Sequence, residues 1–290
     1  MDAWTARAGT DIRGLFEGKS DFVVTHRPLS DREIAQAGQT SIVQIPTAIA
    51  AIVPTYSIPN VTLPLRFTPD TLAGIFLGEI TWWNDARLAM DNPDAGLPRK
   101  GILVVHRGDE SGTTAVWTDY LSSVSPEWKQ TVGAGASVDW PVGLGARGSA
   151  GLAGMVKTTP YAIGYLPWGS AIQNTLPVGL VKNRAGVFLA PSPAALSDAA
   201  ASAARIMARD LRASIVNAPD EKAYPICGFA WFLIRGDMKD QAGAKALQRQ
   251  LWWALHQGQM LIPQMGYGPL PKSVVKRVEE SIRSITPARL

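Results

Sequence analysis

An α/β fold is the class that the sequence predicts, on two observations. Short apolar and β-branched runs alternate with helical patterns along the 290 residues. Glycine and proline are frequent, at 27 and 21 residues, as expected where tight turns join short elements. The predicted strands cover residues 22–25, 41–45, 48–53, 102–105, 162–165 and 229–234.

The helices are predicted from signals at their ends. Ser30 and Glu33 have the spacing of a capping box at a helix start. Thr68 precedes Pro69 as an N-cap precedes a proline in the first turn, and Gly78 is placed to end that helix. Further helices are predicted over residues 191–211, 242–257 and 271–285, the second with an apolar stripe of Leu247, Leu251, Trp252 and Leu255.

The sequence contains no internal repeat and no flexible linker. Two structural units would therefore have to be joined by chain crossings rather than by a tether. Pro54 and the pair Tyr224-Pro225 mark such crossings, as chain turns between strand-like segments.

Charge and hydropathy exclude two classes of partner. The formal charge is +4, although the pI is near 9.2, and the basic residues are scattered. This distribution argues against a nucleic-acid-binding protein but is compatible with a small anionic ligand. No apolar stretch approaches the roughly 20 residues that span a bilayer. The first ten residues lack the apolar segment of a secretory signal, which leaves open a cytoplasmic location or a shortened chain.

Cysteine and histidine usage argues against a metal centre. Cys227 is the single cysteine, so an intrachain disulfide and a thiolate zinc site are excluded, and we expect it to be a buried hydrophobe. His26, His106 and His256 are far apart and form no HExxH pattern. No metal and no cofactor are predicted.

Residues 101–121 contain the strongest candidate for a functional site, and their pattern predicts a strand, a polar turn and a helix. Ser111, Gly112 and Thr113 stand where the helix begins, so backbone N–H groups there lack intrahelical acceptors and suit a tetrahedral oxyanion. Gly112 would let a ligand approach the backbone. Arg107 could add a fork of donors, held by Asp109. The alternative is that Ser111 only caps the helix and that Arg107 and Asp109 form a surface pair.

Two other patterns are weaker. The glycine-rich turn at residues 143–151 contains G-x-G-x-x-G but lacks the context of a dinucleotide site, so a tight turn with Ser149 as N-cap is the simpler interpretation. Ser111 lies in neither a GxSxG nor an SxxK motif, and His106 is near it only in sequence. The sequence therefore does not predict an enzyme.

At these residues the sequence resembles the periplasmic phosphate-binding proteins, the solute receptors of phosphate ABC importers. Residues 107–113 resemble the family's R-x-D-x-S-G-T motif. The resemblance covers most of the chain. Its further segments are residues 72–85, 140–145, 162–165, 224–226 and 270–275.

The resemblance implies a type II periplasmic-binding-protein fold, with two α/β lobes joined by crossover hinge strands. Lobe 1 would comprise residues 1–53 and 226–290, and lobe 2 residues 54–225. The implied function is binding of phosphate, or of a sulfate-like oxyanion, between the lobes for delivery to a membrane permease, in the periplasm or outside the cell. The alternative is a degenerate relative that has lost binding and acts as a regulatory or protein-interaction module.

The resemblance also assigns site residues and shows departures. It implies that Arg107, Ser111, Gly112 and Thr113 contact phosphate and that Asp109 orients the arginine. The family's first strand and helix have no counterpart, and Thr10 alone could replace a missing serine ligand. His26 stands where the family has an aspartate that accepts the phosphate proton. Because imidazole can donate to a fully ionised oxyanion, we expect weaker discrimination against sulfate, unless His26 is simply an exposed turn residue.

Overall fold

The structure is a computed structural model that describes residues 8–9, 12–38, 40–202, 210–236, 238, 241–283 and 285. Two sequence predictions fall outside these residues. One is the ligand role of Thr10, and the other is the stretch 203–209 of the predicted helix 191–211.

The core of the fold is an open mixed sheet. Its strands follow the order β1-β2-β10-β3-β7-β5-β6, β11 adds to β3, and a separate small sheet has the order β4-β8-β9. The strands are β1 (Ala8–Gly9), β2 (Phe22–Thr25), β3 (Ile42–Tyr56), β4 (Arg66–Phe67), β5 (Leu103–Arg107), β6 (Leu144–Ala146), β7 (Ala162–Pro167), β8 (Leu180–Lys182), β9 (Phe188–Leu189), β10 (Cys227–Arg235) and β11 (Tyr267–Gly268).

Strand β3 is the long central strand of the sheet and changes partner along its length. Residues 42–51 pair with β10 and residues 52–56 pair with β7, both antiparallel. The sequence predicted two strands here, but the chain continues through Pro46, which has no N–H to donate and lies opposite a shift in register between Ala230 and Trp231. Pro54 also lies inside β3, so its prediction as a chain turn was wrong.

Several helices pack against strands of the sheet. The helices are α1 (Ile12–Phe16), α2 (Asp31–Gln36), α3 (Pro69–Leu77), α4 (Ala86–Asp91), α5 (Gly112–Val124), α6 (Pro126–Thr131), α7 (Gly148–Thr158), α8 (Trp168–Gln173), α9 (Pro193–Ser202), α10 (Gln241–Leu255) and α11 (Lys272–Arg283), with 3₁₀ turns at Gln257–Met260 and Ile262–Met265. The predicted capping box of Ser30 and Glu33 is confirmed. The Thr68 cap and the left-handed Gly78 that ends α3 are confirmed as well.

Two helix predictions need correction. Leu211 lies in a turn, so the helix predicted over 191–211 does not extend to its predicted end. In α10 the leucines of the predicted stripe are buried, but Trp252 is 37% exposed. Its ring stacks on His256 beside the stripe, with centroids 4.7 Å apart.

A cluster of buried aromatic rings fixes α5 against the sheet. Trp117 of α5 stacks on Tyr165 of β7, with ring centroids 5.0 Å apart, and meets Phe76 of α3 edge to face at 5.1 Å. Such large apolar contacts hold the helix start in a defined place relative to the strand ends. Cys227 is buried and free, as expected.

Candidate functional site

The candidate site lies where two parallel strands end side by side. Strand β5 pairs in parallel with β6, and each is followed by a helix, α5 and α7 respectively. Their carboxyl ends therefore share one edge of the sheet, where both helices begin. The turn that follows β2 reaches the same place, because His26 contacts α5.

Arg107 ends β5 and is held by a carboxylate. Its Nε and Nη2 donate to the two oxygens of Asp109 at 2.6 and 2.7 Å, and its side chain is only 11% exposed. These bonds from Arg107 hold the pKa of Asp109 below its ordinary value, although partial burial opposes this. Asp109 also accepts from the Gly148 N–H at 3.2 Å. The remaining nitrogen of Arg107, Nη1, faces the Ser149 hydroxyl at 3.4 Å.

Ser111 is the N-cap of α5. Its Oγ accepts from the Thr113 and Thr114 N–H groups at 3.2 and 3.4 Å, so the capping role expected as an alternative is present. The Ser111 hydroxyl proton stays available, because Oγ uses lone pairs for these bonds. The Gly112 N–H has no acceptor among the described residues, as expected at the first position of a helix.

Gly112 makes a close contact with the turn after β2. A Cβ at this position would lie 2.7 Å from the His26 nitrogen, 2.8 Å from Thr25 Oγ1 and 3.1 Å from the Arg27 nitrogen. From the sequence, the missing side chain of Gly112 was expected to leave room for a ligand. Instead, the space beside the Gly112 Cα is filled by the protein's own backbone.

His26 is neutral at neutral pH. Burial, together with the positive charge of Arg107, lowers its pKa from 6.5 to about 4. Its Nδ1 lies 3.5 Å from Thr113 Oγ1, and its ring stacks on Tyr267 with centroids 6.4 Å apart. A neutral imidazole has one donor and one acceptor nitrogen. His26 is partly buried between Thr113 and Tyr267, so it is not the exposed turn residue considered as an alternative.

Tyr165 ties the strand end to the helix start. The Arg107 N–H donates to its hydroxyl oxygen at 3.2 Å, and the same oxygen lies 2.7 Å from Thr114 Oγ1. Burial raises the pKa of Tyr165 to about 12, so the phenol stays protonated and can donate to Thr114 while it accepts from Arg107.

The end of β5, the start of α5 and the turn after β2 border one cavity of about 240 Å³, which we call the strand-end cavity. Of the predicted ligands within the described residues, all five line it, and Asp109 lies behind Arg107. The full lining is Ile12, Val23, Val24, Thr25, His26, Arg27, Arg107, Glu110, Ser111, Gly112, Thr113 and Ser149.

Sequence reasoning missed four lining residues that carry polar groups: Thr25, Arg27, Glu110 and Ser149. Ser149 was interpreted as an N-cap, but α7 is preceded by Arg147 and makes no side-chain cap. Ser149 comes close to Arg107 because β5 and β6 are parallel neighbours, and the sequence alone does not reveal that pairing. Arg27 and Glu110 lie 83 residues apart and carry no shared motif.

The cationic groups of the cavity are already paired. Arg107 is bound to Asp109, and Arg27 contacts both Glu33 and Glu110. The cavity therefore offers hydrogen-bond donors without an excess of positive charge. Its chemistry suits a small anion that is recognised by geometry, as at other helix starts.

A larger cleft of about 830 Å³ also borders His26 and Arg27. It is lined by apolar residues such as Phe229 and Trp231 and by ion-paired Arg212. Within the described parts of the chain, no group of histidine, cysteine or acidic side chains could hold a metal ion. Over the same residues, none of the helices has both the length and the hydropathy needed to cross a bilayer.

The chain combines an open α/β sheet, one strand of which pairs with both halves, with a small polar cavity at the strand ends, an arrangement suited to binding a small solute. A model of the PBP superfamily domain matches residues 7–249. The phosphate-binding protein PstS of Xylella fastidiosa strain 9a5c is 40% identical over 273 residues, covering 94% of this chain and 74% of that protein. PstS of Methanocaldococcus jannaschii is 38% identical, covering 93% and 75%. The chain belongs to the PstS family of phosphate-binding proteins.

Solved structures agree on the fold. A high-affinity periplasmic phosphate-binding protein, PfluDING, solved with phosphate, superposes with a TM-score of 0.70 at 17% identity over 93% of this chain and 85% of that one. The phosphate-binding protein of Stenotrophomonas maltophilia gives 0.68 at 20% identity over 92% and 83%. The type II periplasmic-binding-protein fold expected from the resemblance is thus confirmed. The relatives are binding proteins rather than enzymes.

Proposed function

We propose that this chain binds inorganic phosphate, or a similar tetrahedral oxyanion, in the strand-end cavity. The observation that carries the proposal is the convergence of an arginine, a helix start and several hydroxyls on one small cavity. Membership of a family of phosphate-binding proteins supports it.

The hydrogen-bond donors of the cavity differ in whether they already have an acceptor in the protein. Arg107 Nη1 has only a long contact to Ser149, and the Gly112 N–H has no acceptor within the described residues. The hydroxyls of Ser111 and Thr113 can rotate to donate as well. We assign these four residues, with His26, as ligands of the anion, and Asp109 as the residue that orients Arg107.

The division into lobes is part of the proposal. We assign residues 1–53 and 226–290 to lobe 1 and residues 54–225 to lobe 2. The change of partner along β3, from β10 to β7 between Ala51 and Ile52, supports this boundary. So does the bond from the Ile52 N–H to the Ile226 carbonyl at 2.9 Å, next to the crossing predicted at Pro225.

The physiological role that we propose is delivery of the anion to the membrane permease of an ABC importer, from the periplasm. One solved relative is described as a phosphate ABC transporter substrate-binding protein with bound phosphate, and another as periplasmic. A degenerate relative without binding would give no saturable titration.

Titration calorimetry of the full chain tests the proposal. We expect saturable phosphate binding that Arg107→Ala weakens roughly ten- to a hundredfold, because each lost charge-assisted bond is worth about 1.5 to 3 kcal/mol. Sulfate should displace phosphate, since neutral His26 can donate to a fully ionised oxyanion.

Arg87→Ala is the matched control. Arg87 Nε and Nη2 donate to the carboxylate of Asp85 at 3.0 and 3.1 Å, in the same arrangement as Arg107 and Asp109. Arg87 does not line the cavity. Its removal should leave the affinity unchanged. Absence of phosphate binding, or equal loss in both variants, would contradict the proposed site, and refusal of sulfate would contradict the role of His26.

A further inference from the structure

An ion pair connects the two turns that meet over the strand-end cavity. Arg27 follows β2, and Glu110 precedes α5. Arg27 Nη2 donates to Glu110 Oε1 at 2.6 Å, and both residues line the cavity. The pair therefore joins the segments that the proposed division assigns to lobe 1 and lobe 2.

Arg27 is the fixed half of this pair. Its Nη1 and Nη2 each donate to the Glu33 carboxylate at 2.7 Å, and Nη1 also contacts the Pro28 carbonyl at 3.2 Å. The side chain is 14% exposed. Glu33 is itself held by the Ser30 capping box at the start of α2. The guanidinium thus moves with lobe 1.

Glu110 is the releasable half. Its side chain is 65% exposed, and Arg27 is its only hydrogen-bond partner among the described residues. Breaking one bond frees Glu110 and leaves the attachment of Arg27 to Glu33 intact.

The backbone contact at Gly112 closes the same junction. A Cβ on Gly112 would lie 2.7 Å from the His26 nitrogen, so the two turns touch at this point beside the cavity. Separation of the turns at this contact would move Glu110 away from Arg27 and widen the cavity.

We propose that Arg27 and Glu110 are positioning residues for anion binding: the pair holds the two turns together at the cavity and slows exchange of the anion. This inference rests on the proposed function. The pair acts on the closure of the turns and not as a ligand.

Release of radiolabelled phosphate, chased with unlabelled phosphate, tests the inference. Glu110→Gln should raise the release rate about two- to fivefold, the range expected for one partly exposed ion pair. Added salt should speed release from the wild type, because it screens the pair, but should have little effect on the variant. Asp94→Asn, which removes an exposed carboxylate outside the cavity lining, should release at the wild-type rate.

The outcomes separate the two proposals. Wild-type phosphate binding with an unchanged release rate in Glu110→Gln overturns the role of the pair and leaves the proposed function standing. A faster association with unchanged release also overturns it, because Glu110 would then act only as a nearby negative charge.

If the wild type binds no phosphate, the proposed function fails. The role of the ion pair is then tested by measuring the distance between the two turns. Spin labels at Arg32 and Ser137, two exposed positions on the two sides of the junction, report the separation in the anion-free protein. Glu110→Gln should shift the distances to longer values. Identical distributions in variant and wild type would overturn the role of the pair.

Discussion

At the residue scale, the arginines of the strand-end cavity show how an anion can be bound without a strongly basic protein. Two nitrogens of Arg107 donate hydrogen bonds to Asp109, and Arg27 forms ion pairs with both Glu33 and Glu110. The paired carboxylates fix each guanidinium before a ligand arrives, which reduces the ordering cost of binding. Recognition then depends on the direction of the remaining donors.

His26 predicts a pH dependence of stability. Its folded pKa is about 4 against an ordinary value of 6.5, so between these values the unfolded chain binds more protons than the folded one. The contribution of neutral His26 is complete above pH 6.5 and is lost as the pH falls toward 4. We expect the free energy of unfolding to fall less between pH 7 and pH 5 in His26→Asn than in the wild type.

Urea unfolding of both proteins at the two pH values measures this difference. His106, whose pKa burial also lowers, is present in both and cancels in the comparison. Equal losses of stability on acidification would show that His26 is not held neutral by its surroundings.

At the element scale, the start of α5 is held from three sides. Ser111 caps the helix, and the Tyr165 hydroxyl forms a hydrogen bond with Thr114 in the first turn. Gly112 lies in close contact with the turn after β2. These contacts place the helix start against both strand ends. They make the site sensitive to a change in volume as small as one methyl group.

Gly112→Ala should therefore disturb both stability and binding. The added Cβ would meet backbone atoms of His26 and Arg27, which cannot rotate away as a side chain could. We expect the free energy of unfolding to fall by about 1 to 3 kcal/mol, and phosphate to bind more weakly because the turns cannot close.

Gly154→Ala is the control for this change. Gly154 lies inside α7, and a Cβ there would meet nothing within 4 Å. That variant should be more stable by about 0.5 to 1 kcal/mol, with unchanged phosphate affinity. Urea unfolding measures the stability of both variants, and calorimetry measures their phosphate affinity. Wild-type stability and affinity in Gly112→Ala would contradict the close contact between Gly112 and the turn after β2.

Local elements of the site were predictable because their signals are close in sequence. Arg107, Asp109 and Ser111 to Thr113 fall within seven residues, where strand, turn and helix-start chemistry can be read directly. Ser149 lies 42 residues from the arginine it contacts. Arg27 and Glu110 are paired only by the fold, so no local pattern could reveal them.

At the scale of the whole molecule, β3 organises the fold, and its length was not apparent from the sequence. Two strands were predicted, over 41–45 and 48–53, but β3 is continuous and a shift in the register of β10 lies opposite Pro46. The order of strands follows from pairing between distant segments, such as β10 with β3, which periodicity does not encode. The resemblance to a family supplied only the expectation of two lobes joined by crossover strands, and the crossing near Pro225 stays a prediction.

The central claim is that a tetrahedral anion sits at the start of α5, in the strand-end cavity. Crystals grown with arsenate, a tetrahedral oxyanion whose arsenic scatters anomalously, locate it directly. The expected result is one strong arsenic peak with oxygens within hydrogen-bond distance of Arg107 Nη1 and the Gly112 N–H. Arsenic in the 830 Å³ cleft instead, or no ordered arsenic at saturating arsenate, would contradict the account.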